Sequence, residues 1–230
     1  MAGPIRATMW LWSRASTDSP RPRVLVAGAV VLLVPLVLVT ALVVAKWEPL
    51  IEFDRRFSAD ALELGQSSEL LRLVAEVLAL LGREVSTILA VVLAVILLRR
   101  RHRRLAVWLV ASALGGFFLH MTLKVLAGRA RPDWPDALAT ANTAAFPSGH
   151  AASGIDAWVV LGIILLVIPA SRRVRWLAYA LITVGVLMGP SRLVLGVHWP
   201  SDVLGGWLLG AAWACLAAAG VLAFTRRRVS

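Results

Sequence analysis

His198 and Asp202 lie four residues apart in the stretch SRLVLGVHWPSD, residues 191–202. Pro200 between them suits the first turn of a helix, so the pair straddles a helix start. A carboxylate at that distance holds one imidazole nitrogen protonated and leaves the other with a free lone pair, which makes a nucleophile. A second histidine, His150, closes the stretch FPSGH, residues 146–150. Here Pro147 favours a helix start, Ser148 can cap it, and Gly149 lets a ligand approach the backbone. His150 in that position can act as a general acid for a leaving oxygen. Cations surround both histidines: Lys124, Arg129 and Arg131 in KVLAGRARP, residues 124–132, and Arg192 in the first stretch. Arg offers a planar fork of donors that fits phosphate oxygens, and Lys adds a point charge. A helix N-terminus favours an anion through its dipole and its free N–H groups. These parts describe a phosphate cradle. One histidine attacks phosphorus, the other protonates the leaving group, and the cations stabilise the transition state. The chemistry is phosphoryl transfer to water through a phosphohistidine, with no metal and no cofactor.

The elements that must position these residues are membrane helices. Of 230 residues, 59% are hydrophobic and only 16% charged, against about 25% charged in ordinary soluble domains. Mean hydropathy is +0.79. The expected fold is all-α, a polytopic membrane protein with six transmembrane helices in one bundle. The first span is 24–45, long enough to cross a hydrocarbon core of about 30 Å. Residues 46–70 are acidic and form an outside segment. The next apolar stretch contains Arg72, Glu76, Arg83 and Glu84; it predicts a helix on the outer surface, a break near Gly82 and a second span over 84–98. The remaining spans are 105–127, about 147–168, 174–190 and 202–224. The domain reading is a cytoplasmic tail over 1–23, a membrane domain over 24–224 and a second cytoplasmic tail over 225–230.

The net charge of +11 does not point to nucleic acid, because the arginines cluster at span ends. The clusters are Arg6, Arg14, Arg21 and Arg23, then residues 99–104, 171–175 and 225–228. Six spans place all four on one side, which is the positive-inside pattern. Both termini are then cytoplasmic, the protein is a multi-pass cell-membrane protein, and the phosphate cradle faces away from the cytoplasm. The single cysteine, Cys215, excludes an internal disulfide and reads as packing.

The spacing Lys124–x6–Arg131–Pro132, then Pro147-Ser148-Gly149-His150, then Ser191-Arg192–x5–His198–x3–Asp202 resembles the type 2 phosphatidic acid phosphatase superfamily. All three motifs are present in order. The resemblance implies His198 as nucleophile, Asp202 as its partner and His150 as acid, with Lys124, Arg131, Ser148, Gly149 and Arg192 binding phosphate. It implies a membrane enzyme that hydrolyses lipid phosphates at the outer face. Substrates of the phosphatidic acid or phosphatidylglycerol phosphate type are expected, with a polyprenyl diphosphate as the alternative. The superfamily's vanadium haloperoxidases are soluble and do not suit this composition. A lipid phosphate and the bilayer are the expected partners. A non-catalytic phospholipid binder or carrier would need neither histidine nor Asp202. Outside the motifs, Arg129 is a lesser candidate for phosphate. His120, one turn before Lys124, is expected in an interhelical hydrogen bond. Asp156, an acid inside the fourth span, is a candidate for a substrate role on a different side of its helix from His150.

Overall fold

The computed structural model describes residues 21–168 and 171–226. The arginines at positions 6 and 14, most of the first tail and residues 227–230 lie outside the described residues. The described chain is helical, with no strand. In order it forms α1 (Pro22–Val44), α2 (Glu48–Ser67), α3 (Glu69–Leu80), α4 (Arg83–Arg99), α5 (Arg103–Ala127), α6 (Gly149–Val167), α7 (Arg172–Val194) and α8 (Pro200–Arg226). Helices α1, α5, α6, α7 and α8 are each long and apolar enough to cross a bilayer, and α3 with α4 forms a bent sixth candidate, turned by 52°. The bend falls at Leu81 and Gly82, where the sequence predicts a break. In lipid every backbone polar group must be satisfied within the chain, which is why apolar segments of this length settle as helices.

Two points of extent go beyond or correct the sequence-based expectation. The acidic segment, given no secondary structure in the sequence reading, is a helix, α2. Its buried residues Asp54, Ser58, Ala61, Leu62 and Gly65 form one stripe at helical spacing, while Glu52 and Arg56 pair on the exposed face. The fifth span continues to Val194, so Arg192 belongs to the last turn of α7 and not to the connection after it.

Small residues let the last span press against the FPSGH segment. A Cβ on Gly206 would lie 2.5 Å from the Ser148 carbonyl oxygen, and one on Gly205 would lie 2.5 Å from the Phe146 ring. Close approach of this kind is how helices pack where lipid removes the hydrophobic drive between them. On its other side Phe146 joins Leu36 and Val43 of α1 and Leu209 of α8 in one apolar cluster. A second cluster, with Ala94, Leu109, Val160 and Ile164 at its centre, ties α4, α5 and α6 together farther from the motif residues.

Helices α5 and α7 begin at arginine-rich segments and end at motif residues, while α6 and α8 begin at motif residues. All three motifs therefore gather at one end of the bundle. Gly196, at φ +72°, turns the chain between α7 and α8 in a conformation that side-chain-bearing residues rarely adopt. The turn is fastened to the 128–134 segment: Trp199 Nε1 donates to the Ala130 carbonyl at 3.0 Å, and the Trp134 and Trp199 rings meet edge to face at 6.0 Å.

Candidate active site

His198 is 2% exposed and Asp202 is fully buried. Asp202 Oδ2 lies 3.1 Å from His198 Nδ1 and also accepts from the Trp199 backbone N–H at 2.9 Å. The turn into α8 makes this geometry: Asp202 sits in the first turn and reaches back to the residues before it. On the other side of the ring, Arg131 Nη1 is 3.1 Å from His198 Nε2. A guanidinium has only donors. Nε2 therefore accepts, and the ring proton sits on Nδ1, facing Asp202. Burial holds the imidazole well below its usual pKa; Arg131 and Lys124 push the same way, against the hydrogen bond and charge of Asp202. At neutral pH this is a neutral ring with its lone pair directed at a cation.

Arg131 is braced for that position. Its Nε donates to the Thr143 carbonyl at 2.6 Å, and Nη1 donates to the Val197 carbonyl at 2.6 Å. Lys124 Nζ, at the end of α5, donates to the carbonyls of Ala144 and Ala145. Arg192 is 6% exposed, and its buried Nε has no hydrogen-bond partner. A buried guanidinium with a spare donor leaves it capacity for an anion.

Ser148 caps α6: its Oγ accepts from the Ala151 N–H, and its own N–H donates to the Asp202 carbonyl at 2.9 Å. That last bond joins the second motif to the third. His150 Nε2 lies 3.1 Å from the Ala79 carbonyl oxygen at the end of α3, and a Cβ on Gly82 would lie only 2.5 Å from the same nitrogen. The bend between α3 and α4 thus fits around the His150 ring.

The structure brings the sequence-predicted residues to one end of the bundle and assigns different contacts to three others. Arg129 is turned toward carboxylates: Nη1 donates to Asp202 Oδ1 at 2.7 Å and to Ser201 Oγ at 2.6 Å, and Nη2 donates to Asp54 Oδ2 at 2.6 Å. His120 bonds within its own helix, Nδ1 to the Gly116 carbonyl at 3.0 Å, while Nε2 faces Gly149 across the helix gap. Asp156 sits in a π-helical turn, Gly154–Val159, against Gly116. It lines a small, mostly apolar cavity with Ser86, Phe117, His120 and Ser153.

Sequence reasoning missed Asp54 and Ser201. Asp54 is fully buried and accepts from the Ser201 N–H at 2.9 Å and from the Ser201 hydroxyl. The signal was the small and polar stripe Asp54, Ser58, Ala61 and Gly65, which marks a packed face on an otherwise charged helix. Among the described residues, no group of three or more His, Cys, Asp or Glu is placed to hold a metal ion.

The profile of the PAP2 superfamily matches residues 105–226. A membrane bundle with these three motifs at one end defines that class, and the chain belongs to the PAP2 superfamily. Its fold is similar to the crystal structure of a transmembrane PAP2-type phosphatidylglycerolphosphate phosphatase from Bacillus subtilis. The TM-score is 0.71 at 21% identity, covering 88% of this chain and 97% of the other. A Mycobacterium tuberculosis decaprenylphosphoryl-5-phosphoribose phosphatase is 38% identical over 130 residues, 54% of this chain and 64% of that protein. Phosphatidylglycerophosphatase B of Bacillus subtilis is 35% identical over 94 residues, 40% of this chain and 46% of that protein. The matches thus span less than two thirds of these curated relatives.

Proposed function

We propose that this protein is a membrane phosphatase that hydrolyses lipid phosphate monoesters through a phosphohistidine on His198. The observation that carries the reading is the His198 ring, with Nδ1 held by Asp202 and Nε2 aimed at Arg131. Phosphate bound among Lys124, Arg131, Arg192 and the Ser148–Gly149 backbone replaces the Arg131 contact and presents phosphorus to Nε2. The N–P bond forms as the P–O bond to the lipid breaks, and His150 gives its proton to the departing oxygen. His150 then takes a proton from water as that water attacks phosphohistidine, which releases phosphate and restores both rings. Asp202 supports the cationic imidazole while it carries phosphorus. Relatives named for decaprenylphosphoryl-5-phosphoribose and phosphatidylglycerophosphate support a phosphate on a sugar or glycerol leaving group.

The test is phosphate release by purified protein from a panel of phosphatidic acid, phosphatidylglycerol phosphate, a polyprenyl sugar phosphate and a polyprenyl diphosphate. Release from at least one monoester is expected. Excess chelator is expected to leave the rate unchanged, because Lys and Arg stand where a metal would otherwise carry the transition-state charge. Vanadate is expected to inhibit by mimicking five-coordinate phosphorus. Full and reversible loss with chelator would refute the metal-free step, and release from the diphosphate alone would move the substrate class.

The cradle is proposed to face away from the cytoplasm, with both termini inside. Arg99, Arg100 and Arg103 between α4 and α5, and Arg172, Arg173 and Arg175 at the start of α7, support this orientation. A reporter active only outside the cytoplasm is expected to stay silent when fused after Ser230. An active reporter there would put the site on the other face.

A further inference from the structure

We propose that Asp54 and Arg129 form a positioning clamp for the catalytic carboxylate, so that Arg129 acts on the reaction through Asp202 and not through phosphate. The inference rests on the phosphohistidine reading above. Arg129 is the lesser of the sequence's phosphate candidates, two residues before Arg131 and outside the motif. Its contacts point elsewhere. Both terminal nitrogens are engaged by Asp202, Ser201 and Asp54. Its guanidinium carbon lies 5.6 Å from the Trp199 ring centroid, and its side chain is 9% exposed. The guanidinium therefore bridges two buried carboxylates, neither of which has water to solvate its charge.

The arrangement matters for Asp202 because the terminal torsion of a carboxylate is broad and roughly two-fold. His198 and the Trp199 N–H hold only Oδ2. Arg129 holds Oδ1 and so fixes the plane of the group. With that plane fixed, Oδ2 stays on the His198 N–H, and Nε2 stays aimed at phosphorus. Asp54 anchors the clamp from α2. It takes Arg129 Nη2 on one side and the Ser201 N–H and hydroxyl on the other, which holds the first turn of α8 against the same guanidinium. Losing the clamp should impair the chemical step and leave the phosphate cradle, built from Lys124, Arg131 and Arg192, intact.

The experiment compares kcat, KM and vanadate inhibition for wild type, Arg129→Gln and Asp54→Asn, and repeats Arg129→Gln in an Asp202→Asn background. Folded protein is verified by monodisperse elution in detergent. Groups that orient metal ligands from behind typically contribute about 10- to 100-fold, and a carboxylate held from behind is taken to follow the same scale. Arg129→Gln is therefore expected to lower kcat by about that factor, with KM and the vanadate inhibition constant within about 3-fold of wild type. In the Asp202→Asn background the same change is expected to cost little more, because the group it positions has already lost its charge. Asp54→Asn should lower kcat with the same pattern, and it carries the test if Arg129→Gln does not fold. An unchanged kcat in the folded variants would overturn the clamp. So would a raised KM and weakened vanadate inhibition at full kcat, which would make Arg129 a phosphate ligand. An equal loss in the Asp202→Asn background would overturn it too, leaving a purely structural ion pair. Wild type that releases no phosphate from any lipid would instead overturn the phosphatase reading itself.

Discussion

His198→Ala is expected to abolish turnover on every substrate. Asp202 lies on the Nδ1 side of the ring, with its oxygens held by His198, the Trp199 N–H and Arg129, and Lys124 is tied to the carbonyls of Ala144 and Ala145. With His198 gone, Arg131 keeps its bonds to Thr143 and Val197, so the cradle should still bind phosphate. Single-turnover quenching with labelled substrate checks both halves. Wild type should trap an acid-labile phosphoprotein, while the variant should trap none and still bind vanadate. A variant that retained measurable turnover would remove the phosphohistidine from the mechanism.

The second large effect is expected at His150, and it should depend on the leaving group. Alkyl oxygens of a lipid depart poorly without a proton, and general acids of this kind contribute about 10²- to 10⁴-fold. His150→Ala should lose about that much on a lipid phosphate. An aryl phosphate needs little protonation on departure, so its loss in the first step should be much smaller. His198→Ala should show no such difference. Measuring both variants on both substrates separates the roles, and the opposite pattern would exchange the two histidines. His150 is held on the Ala79 carbonyl at the bend between α3 and α4, so the variant should be verified as folded before rates are compared.

The residues of the candidate site were legible in the sequence because each belongs to a short local pattern. His198 and Asp202 share one turn, Ser148 caps the helix that carries His150, and Lys124 and Arg131 flank one helix end. The six-span architecture was legible for a similar reason: apolar length and arginine position are written along the chain. Contacts between distant segments were not. Arg129 and Arg131 are two residues apart and chemically alike, yet one faces carboxylates and the other faces His198. The approach of α2 and of the start of α8 decides between them, and Asp54 lies 147 positions from the Ser201 it binds. The fifth span was set to end at residue 190; the helix accommodates Pro190 and runs on to Val194. His120 was expected to bond across helices; a carbonyl one turn earlier in its own helix engages Nδ1, while Nε2 faces Gly149 of α6.

The Asp54, Arg129 and Asp202 linkage also bears on biosynthesis. These residues come from α2, the segment after α5 and the start of α8, so the nascent chain delivers them far apart in time. A chain that has inserted its first five spans already carries Lys124, Arg131, His150 and Arg192, but neither His198 nor Asp202. On the proposed mechanism the site is therefore complete only when the final hairpin enters the membrane and α8 closes onto partners already gathered at that end of the bundle. On that mechanism incompletely inserted chains would be inert toward the lipids around them, and translation itself would set the moment at which the site first forms.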